Sequence, residues 1–583
     1  MYLIQAQEIT LFLALLLAAC GSAAPSPTPL PPTPVPAASP TPAPSPLPSA
    51  TPAPPPSSTA RPYIPPGHPI GVRQVSGAGE FYNRGTGETF VLRGANYVFV
   101  PHEGSITHLL LKVGVYDPTR TREDFKALAA QGYNTVRVFL DHCSAGPGCI
   151  GDDDNSGLNP DYLDNIADML AAAGETGLYI LFTSNDLPDQ GGYSEQANAA
   201  SGEIFAGYRN SYYLTPEAVE ATRLYWRDLL TGLNQREAAT DRVLGWQLLN
   251  EQWLFIDQPP LSLTSGEVET TTGTYDMSDP GQKRRMVSDG LIHYIAEVKA
   301  EILAHDPTAL VTMGFFAPEI AAPGWFVDTA PLLSRSDLDF FDFHGYPGGP
   351  GLEELAEAFG MLGYESKPIV LGEYGAFRHI YSELNPAARA ITEWQTESCE
   401  YGFDGWLYWT YHPAGPAVDD RTWGFTDEAG YFMDLLSPAN APDPCVLPEI
   451  QRENLAFGAA VTASRSLPEE PPELAVDENE NTQWGAGSDA TQWIDVDLGR
   501  PVSITEIRLL VGQWPESETV HRLRGRSAEG SFSDLHTFSG FTREGDWLVW
   551  SPEPPVGNIQ IIRIETQSSP SWVAWKEIVV KGV

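Results

Sequence analysis

Positive charge is scarce in this chain of 583 residues: 34 Lys and Arg stand against 76 Asp and Glu, a formal net charge of −42. Nucleic acid and polyanionic substrates demand cationic patches, so this balance argues against both. The apolar run from Leu11 to Ala19, within "MYLIQAQEITLFLALLLAAC", lacks the length to span a bilayer and reads as a signal-peptide core. Cysteine is limited to five residues. The four beyond Cys20 have no His or Cys partners at ligand spacing, which argues against metal binding through thiolates. No glycine-rich phosphate loop follows the first predicted strand, which disfavours a doubly wound open sheet.

What is present points to an exported protein with more than one core. Hydrophobic residues make up 42% and aromatics 11%, enough for globular domains, and the length calls for at least two. "LAAC" resembles a bacterial lipobox, which implies a signal over 1–20, a lipidated Cys20, and attachment to a membrane at the cell surface. Residues 21–68 collapse to Pro, Ser, Thr and Ala, a composition that builds an extended spacer. At roughly 3.1 Å per residue it reaches on the order of 100 Å. In an oxidising compartment the remaining cysteines pair by proximity, Cys143 with Cys149 and Cys399 with Cys445.

From 69 to 445 short apolar runs alternate with longer amphipathic ones. The predicted strands are 90–99, 134–141, 178–185, 243–251, 309–316, 339–346, 368–375 and 405–412. Helical patterns such as 122–132, 160–177, 215–233 and 282–303 lie between them. Eight strands alternating with helices predict an α/β fold, a (β/α)8 TIM barrel. In such a barrel chemistry sits at the carboxyl ends of the strands. There the fourth strand ends Asn250-Glu251, the sixth His344-Gly345-Tyr346, the seventh Gly372-Glu373-Tyr374, and the eighth carries Trp409.

"LLNEQW" and "VLGEYGAF", at strands four and seven, resemble the clan of retaining (β/α)8 glycoside hydrolases that contains family 5, the cellulase- and mannanase-like enzymes. The resemblance implies that Glu251 is the acid/base and Glu373 the nucleophile. It further implies that Arg137 in "NTVRVF", Asn250, His344, Tyr346 and Trp409 bind substrate or orient the carboxylates, with no cofactor needed. Glu251 is expected to rest protonated because a second carboxylate lies nearby. Two departures, Asn185-Asp186 where the family often has a strand-three His and a long insertion after Glu251, bear on substrate rather than mechanism. Trp246 is expected in the core, and Tyr97, Trp253, Phe255 and Tyr411 are candidates to line a cleft.

Residues 451–583 change to short strands with turn signals, an all-β sandwich. "LAVDENENTQW", "QWIDVDLGRPVSITEIRL" and "SWVAWKEIVVKG" resemble the discoidin, or coagulation-factor type C, fold that includes carbohydrate-binding module family 32. The resemblance implies core positions for Trp484 and Trp493 and a structural Ca2+ held by Asp477, Thr482 and Glu577. Oxygen donors suit that hard cation. Trp514, in "GQWPESE", is the surface candidate for sugar stacking. The expected activity is retaining hydrolysis of a β-linked polysaccharide or oligosaccharide of glucan or mannan type. The alternative is a non-catalytic carbohydrate-binding adhesin on a glycosidase scaffold.

Overall fold

The computed structural model describes residues 67–582, apart from 153, 155, 200–201, 206–208, 317–323, 327, 416–420 and 449–453. The expected signal, Cys20 and nearly all of the spacer lie outside the described residues. His68, the last residue of the expected spacer, is already buried, its ring bonded to Asp306 and to the Val243 carbonyl. No helix among the described residues is long and apolar enough to cross a membrane. The chain divides into two compact units near Pro448.

In the first unit, all-parallel strands form a ring: β1 Leu92–Asn96, β2 Thr135–Phe139, β3 Tyr179–Thr183, β4 Val243–Gln247, β5, β6 Phe341–His344, β7 Ile369–Tyr374 and β8 Gly405–Tyr408. Strand β5 is in two pieces. Val311–Thr312 pairs with β4 and Gly314–Phe315 pairs with β6. Since β8 pairs with β1, the ring closes and the unit is a (β/α)8 barrel. Gly314 permits that closure, because a Cβ there would lie 1.8 Å from the Asn250 carbonyl oxygen.

The helices follow their strands in order: α1 Pro118–Ala130, α2 Pro160–Thr176, α3 Pro216–Gln235, α4 Pro280–His305, α5 Ala330–Arg335, α6 Leu352–Phe359, α7 Leu384–Ser398 and α8 Tyr431–Leu435. Four of them start on the same local signal. Asp117, Asn159, Thr215 and Asp279 accept bonds from first-turn amides, and each is followed by a proline whose missing N–H costs nothing there.

The amino-terminal end of the barrel is sealed. A hairpin, Ile70–Val75 with Ala78–Asn83, brings Ile70 and Phe81 against Leu92, Leu181, Leu244, Leu310, Phe340, Val370 and Leu407. The opposite end is ringed by longer loops. Both expected disulfides form. The loop tied by Cys143–Cys149 leans on its neighbours on either side: the Val113 amide donates to the Gly148 carbonyl (2.9 Å), and the Gly146 amide donates to Gln190 Oε1 (2.6 Å).

The second unit is built of antiparallel strands, principally Gln492–Val511, Ser517–Arg526, Ser533–Thr542, Val556–Ser568 and Ala574–Gly582. Its core holds Trp484, Val496, Ile504, Leu509, Ile564 and Trp575. Trp493 departs from its expected core position. Strand alternation turns it to the outer face, where it is partly exposed and carries the Arg563 guanidinium 4.1 Å above its ring.

Phe81 is fully buried in the barrel floor, edge-on to Phe340 at 5.0 Å. Phe81→Ala is expected to cost about 3–5 kcal/mol, seen as a lower denaturant midpoint for the barrel. Because the floor is remote from the charged end, the geometry there should survive in the folded fraction.

Candidate active site

Three strands and one strand-end loop aim polar side chains at one buried cation. Arg137, inside β2, has no solvent exposure, and each part of its guanidinium finds an acceptor. Nε donates to Gln247 Oε1 (2.8 Å), Nη1 to Asn96 Oδ1 (2.8 Å) and Glu373 Oε1 (2.7 Å), and Nη2 to Asn250 Oδ1 (2.5 Å). A planar fork with five donors suits this convergence; a lysine ammonium could not reach four acceptors at once. The Tyr346 hydroxyl donates to the other oxygen of Glu373 at 2.8 Å. Burial, with Glu373 adding repulsion, pushes the Tyr346 phenol well up, so it stays a neutral donor.

Glu251 lies just beyond β4, bonded through Oε1 to His344 Nδ1 at 2.7 Å. His344 Nδ1 is also 3.5 Å from Glu373 Oε1. Oxygens of the two glutamates and a nitrogen of His344 all fall within 4.8 Å of one another. That distance is short enough to share a cation, but Arg137 in contact with Glu373 is the wrong neighbour for one. Glu251 is raised above the ordinary carboxyl range. Burial is the principal cause and repulsion from Glu373 a smaller one, while His344 and Arg137 oppose both. The expectation that the second carboxylate does most of this work is therefore corrected: desolvation does.

Trp409 is partly exposed, flanked edge-on by Phe99 and Phe139, both at 6.3 Å. The His142 ring stacks on Phe139 at 3.9 Å, and burial lowers it to about 3, keeping it neutral. Trp246 is core, as expected. Tyr97 and Tyr411 are buried and do not line a cleft; their hydroxyls donate to Asp124 on α1. Trp253 is also buried, with Arg209 4.3 Å from its ring centroid. Asp186 forms an ion pair with Arg209.

The structure brings together Arg137, Asn250, Glu251, His344, Tyr346 and Glu373, which the sequence reading places at the strand ends. That reading missed Asn96, Gln247, Asp342 and the aromatic flank of Trp409. Gln247 in "GWQLL" and Asp342 in "FFDFH" carried a signal, since each is a polar residue inside an apolar strand, at the spacing of inward-facing positions.

In the second unit Asp477 accepts from the Thr482 hydroxyl at 2.8 Å. Glu577 is 3% exposed. Burial, then repulsion from Asp477 and Glu478, push its carboxyl up to about 9, and nearby amides offset little of this. Trp514 is 73% exposed, as a surface contact requires.

Residues 460–578 match the family model of the F5/8 type C domain, so the second unit is a domain of that family. No curated protein matches the chain. Among solved structures, the exo-beta-1,4-mannosidase Op5Man5 from Opitutaceae bacterium strain TAV5 is similar at 19% identity and a TM-score of 0.41, over 62% of this chain and 61% of that one. The family 32 CBM from C. perfringens NanJ, in complex with galactose, is 16% identical with a TM-score of 0.20, over 21% of this chain and 93% of that one. Chitosan-binding module 1 of a chitosanase/glucanase from Paenibacillus sp. IK-5 is 19% identical with a TM-score of 0.20, over 22% of this chain and all of that module.

Removing Arg137 strands the carboxylates around it. Arg137→Met is expected to destabilise the barrel by about 3–5 kcal/mol, the cost of breaking a buried pair. Melting curves and denaturant midpoints of the variant against the wild type will measure the loss.

Proposed function

We propose that this protein is a retaining β-glycosidase acting on a β-linked polysaccharide or oligosaccharide. The observation that carries this reading is the pair of glutamates with oxygens within 4.8 Å, the buried Glu373 held by Arg137 and Tyr346 and the partly buried Glu251 raised chiefly by desolvation. Retention needs carboxyl groups about 5–5.5 Å apart, whereas inversion leaves room for a water and spreads them to about 6.5–9.5 Å.

In this reading Glu373 attacks the anomeric carbon. Arg137 and Tyr346 hold both its oxygens, which fixes the carboxylate's plane. Glu251 gives its proton to the leaving oxygen. Once Glu373 is esterified its negative charge is gone, Glu251 bears one instead, and it draws a proton from the water that cleaves the ester. Asn250 turns its oxygen to Arg137 and one amide N–H to Glu251 Oε2 at 3.5 Å, which leaves its second N–H to meet a sugar hydroxyl. Trp409 offers a partly exposed ring on which a pyranose stacks. The second unit serves as the binding module, with Trp514 as its contact, and the acidic surface fits a neutral sugar partner. The lipidated Cys20 and spacer would hold both units out from a membrane.

A structural Ca2+ fits the second unit. Glu577 is a buried carboxyl beside Asp477 and Glu478, and a hard cation with oxygen ligands relieves that repulsion. Asp477, Thr482 and Glu577 are the residues that would hold it. Calcium is expected to raise the melting temperature of this unit at pH 8, and Glu577→Gln to abolish the gain.

The mechanism is tested by separating its two steps. Glu251→Gln and Glu373→Gln should both abolish hydrolysis of natural substrates. On an activated aryl glycoside, which needs little acid assistance, Glu251→Gln should keep its first step, with azide restoring turnover, and Glu373→Gln should not. NMR of the first product should show retained β configuration. Equal losses without rescue, or inversion, would overturn the assignment, and persistent sugar binding without hydrolysis in the wild type would favour an adhesin.

A further inference from the structure

Behind His344 stands a carboxylate that the two-glutamate mechanism does not use. Asp342 lies two residues earlier on β6, so its side chain shares the inner face of the barrel with His344. It is completely buried. Its Oδ2 accepts from Gln247 Nε2 at 2.5 Å and lies 3.6 Å from Arg137 Nε and 3.7 Å from His344 Nε2. The space it occupies is made for it: a Cβ at Gly372 would fall 1.7 Å from Asp342 Oδ1. A buried carboxylate costs several kcal/mol unless charge and hydrogen bonds compensate it. Arg137 is already in direct contact with Glu373, so a second cation is called for.

We infer that Asp342 is a positioning residue that holds His344 as a permanent imidazolium, a fixed donor to Glu251 through both halves of the reaction. The inference rests on the glycosidase reading for its purpose, though not for its geometry.

The groups facing His344 are Arg137 from β2, Glu251 beyond β4, Asp342 on its own strand, Tyr346 just after it and Glu373 from β7. With His344 charged, the resting site holds Arg137 and His344 as cations, Glu373 and Asp342 as anions and Glu251 as a neutral acid, which sums to zero. In the glycosyl-enzyme Glu373 is an uncharged ester and Glu251 has given up its proton, and the sum is again zero. A neutral His344 would leave a buried net negative charge in both states. It would also turn a ring lone pair toward either Glu251 or Asp342. As an imidazolium it donates from Nδ1 to Glu251 Oε1, leaving Oε2 to carry the proton that moves. Burial alone would lower His344, but Glu373, Asp342 and Glu251 outweigh it and push it up to about 10.

The test is the titration of His344 by NMR in the full chain with 13C-labelled histidine, its signal identified by loss in His344→Gln. The wild type should show imidazolium shifts through pH 8. In Asp342→Asn, which keeps the shape and the Gln247 contact, the transition should fall by at least about one pH unit, a tenfold change in the protonation equilibrium. The same variant should lose at least about tenfold in kcat/KM on an alkyl glycoside, a part of what general acid catalysis supplies, and little on a dinitrophenyl glycoside. A wild-type transition near the ordinary value of about 6.5 would overturn the inference even if the variant fails to fold. So would an unmoved transition in Asp342→Asn, or equal kinetic losses on both substrates. Turnover of natural substrates surviving in Glu251→Gln without azide would sink the two-glutamate reading instead, and the titration would still decide the charge of His344.

Discussion

The charged end of this barrel depends on one guanidinium that has no contact with water. Arg137 touches Asn96, Gln247, Asn250 and Glu373 together, and these come from β1, β4, the loop beyond it and β7. A buried arginine left unsatisfied is intolerable, so each acceptor is fixed in turn by the geometry of the fork. The result is rigidity where a reaction needs it. Glu373 is gripped on one oxygen by Arg137 and on the other by Tyr346, which leaves it no rotamer to wander into.

The two ends of the barrel divide the labour of stability and chemistry. The hairpin-sealed floor gathers an apolar cluster and supplies hydrophobic burial. The mouth gathers two cationic and three acidic side chains within a few ångströms and gains nothing from hydrophobic burial. A site of that kind stores unfavourable desolvation, and the floor, together with the capped helices and the disulfides, makes the storage affordable. This is the usual relation between a scaffold and a preorganised site.

Much of this was legible in the chain, for a simple reason. Strands of a closed barrel are buried on both faces and read as apolar runs, so a polar residue at the end of one stands out. Asn250-Glu251, His344, Tyr346 and Glu373 were visible that way, and the order of the eight strands placed them at one end. Gln247 and Asp342 were equally polar and equally out of place, but their meaning lies in contacts across the barrel between residues 95 positions apart, which periodicity does not encode. Trp493 shows the opposite error. Similarity suggested a core tryptophan, while strand alternation turned it outward under Arg563. The cause of the raised Glu251 was likewise out of reach, since burial is a property of the packed barrel and not of any neighbour in the sequence.

The 1.7 Å approach between Asp342 and a Cβ at position 372 also constrains how this sequence can drift. The two positions face each other from adjacent strands, and neither can change freely while the other stays. A side chain at 372 could be admitted only if the Asp342 carboxylate turned aside, away from Gln247, or were replaced. Glycine immediately before Glu373 is thus what leaves room for the buried acid.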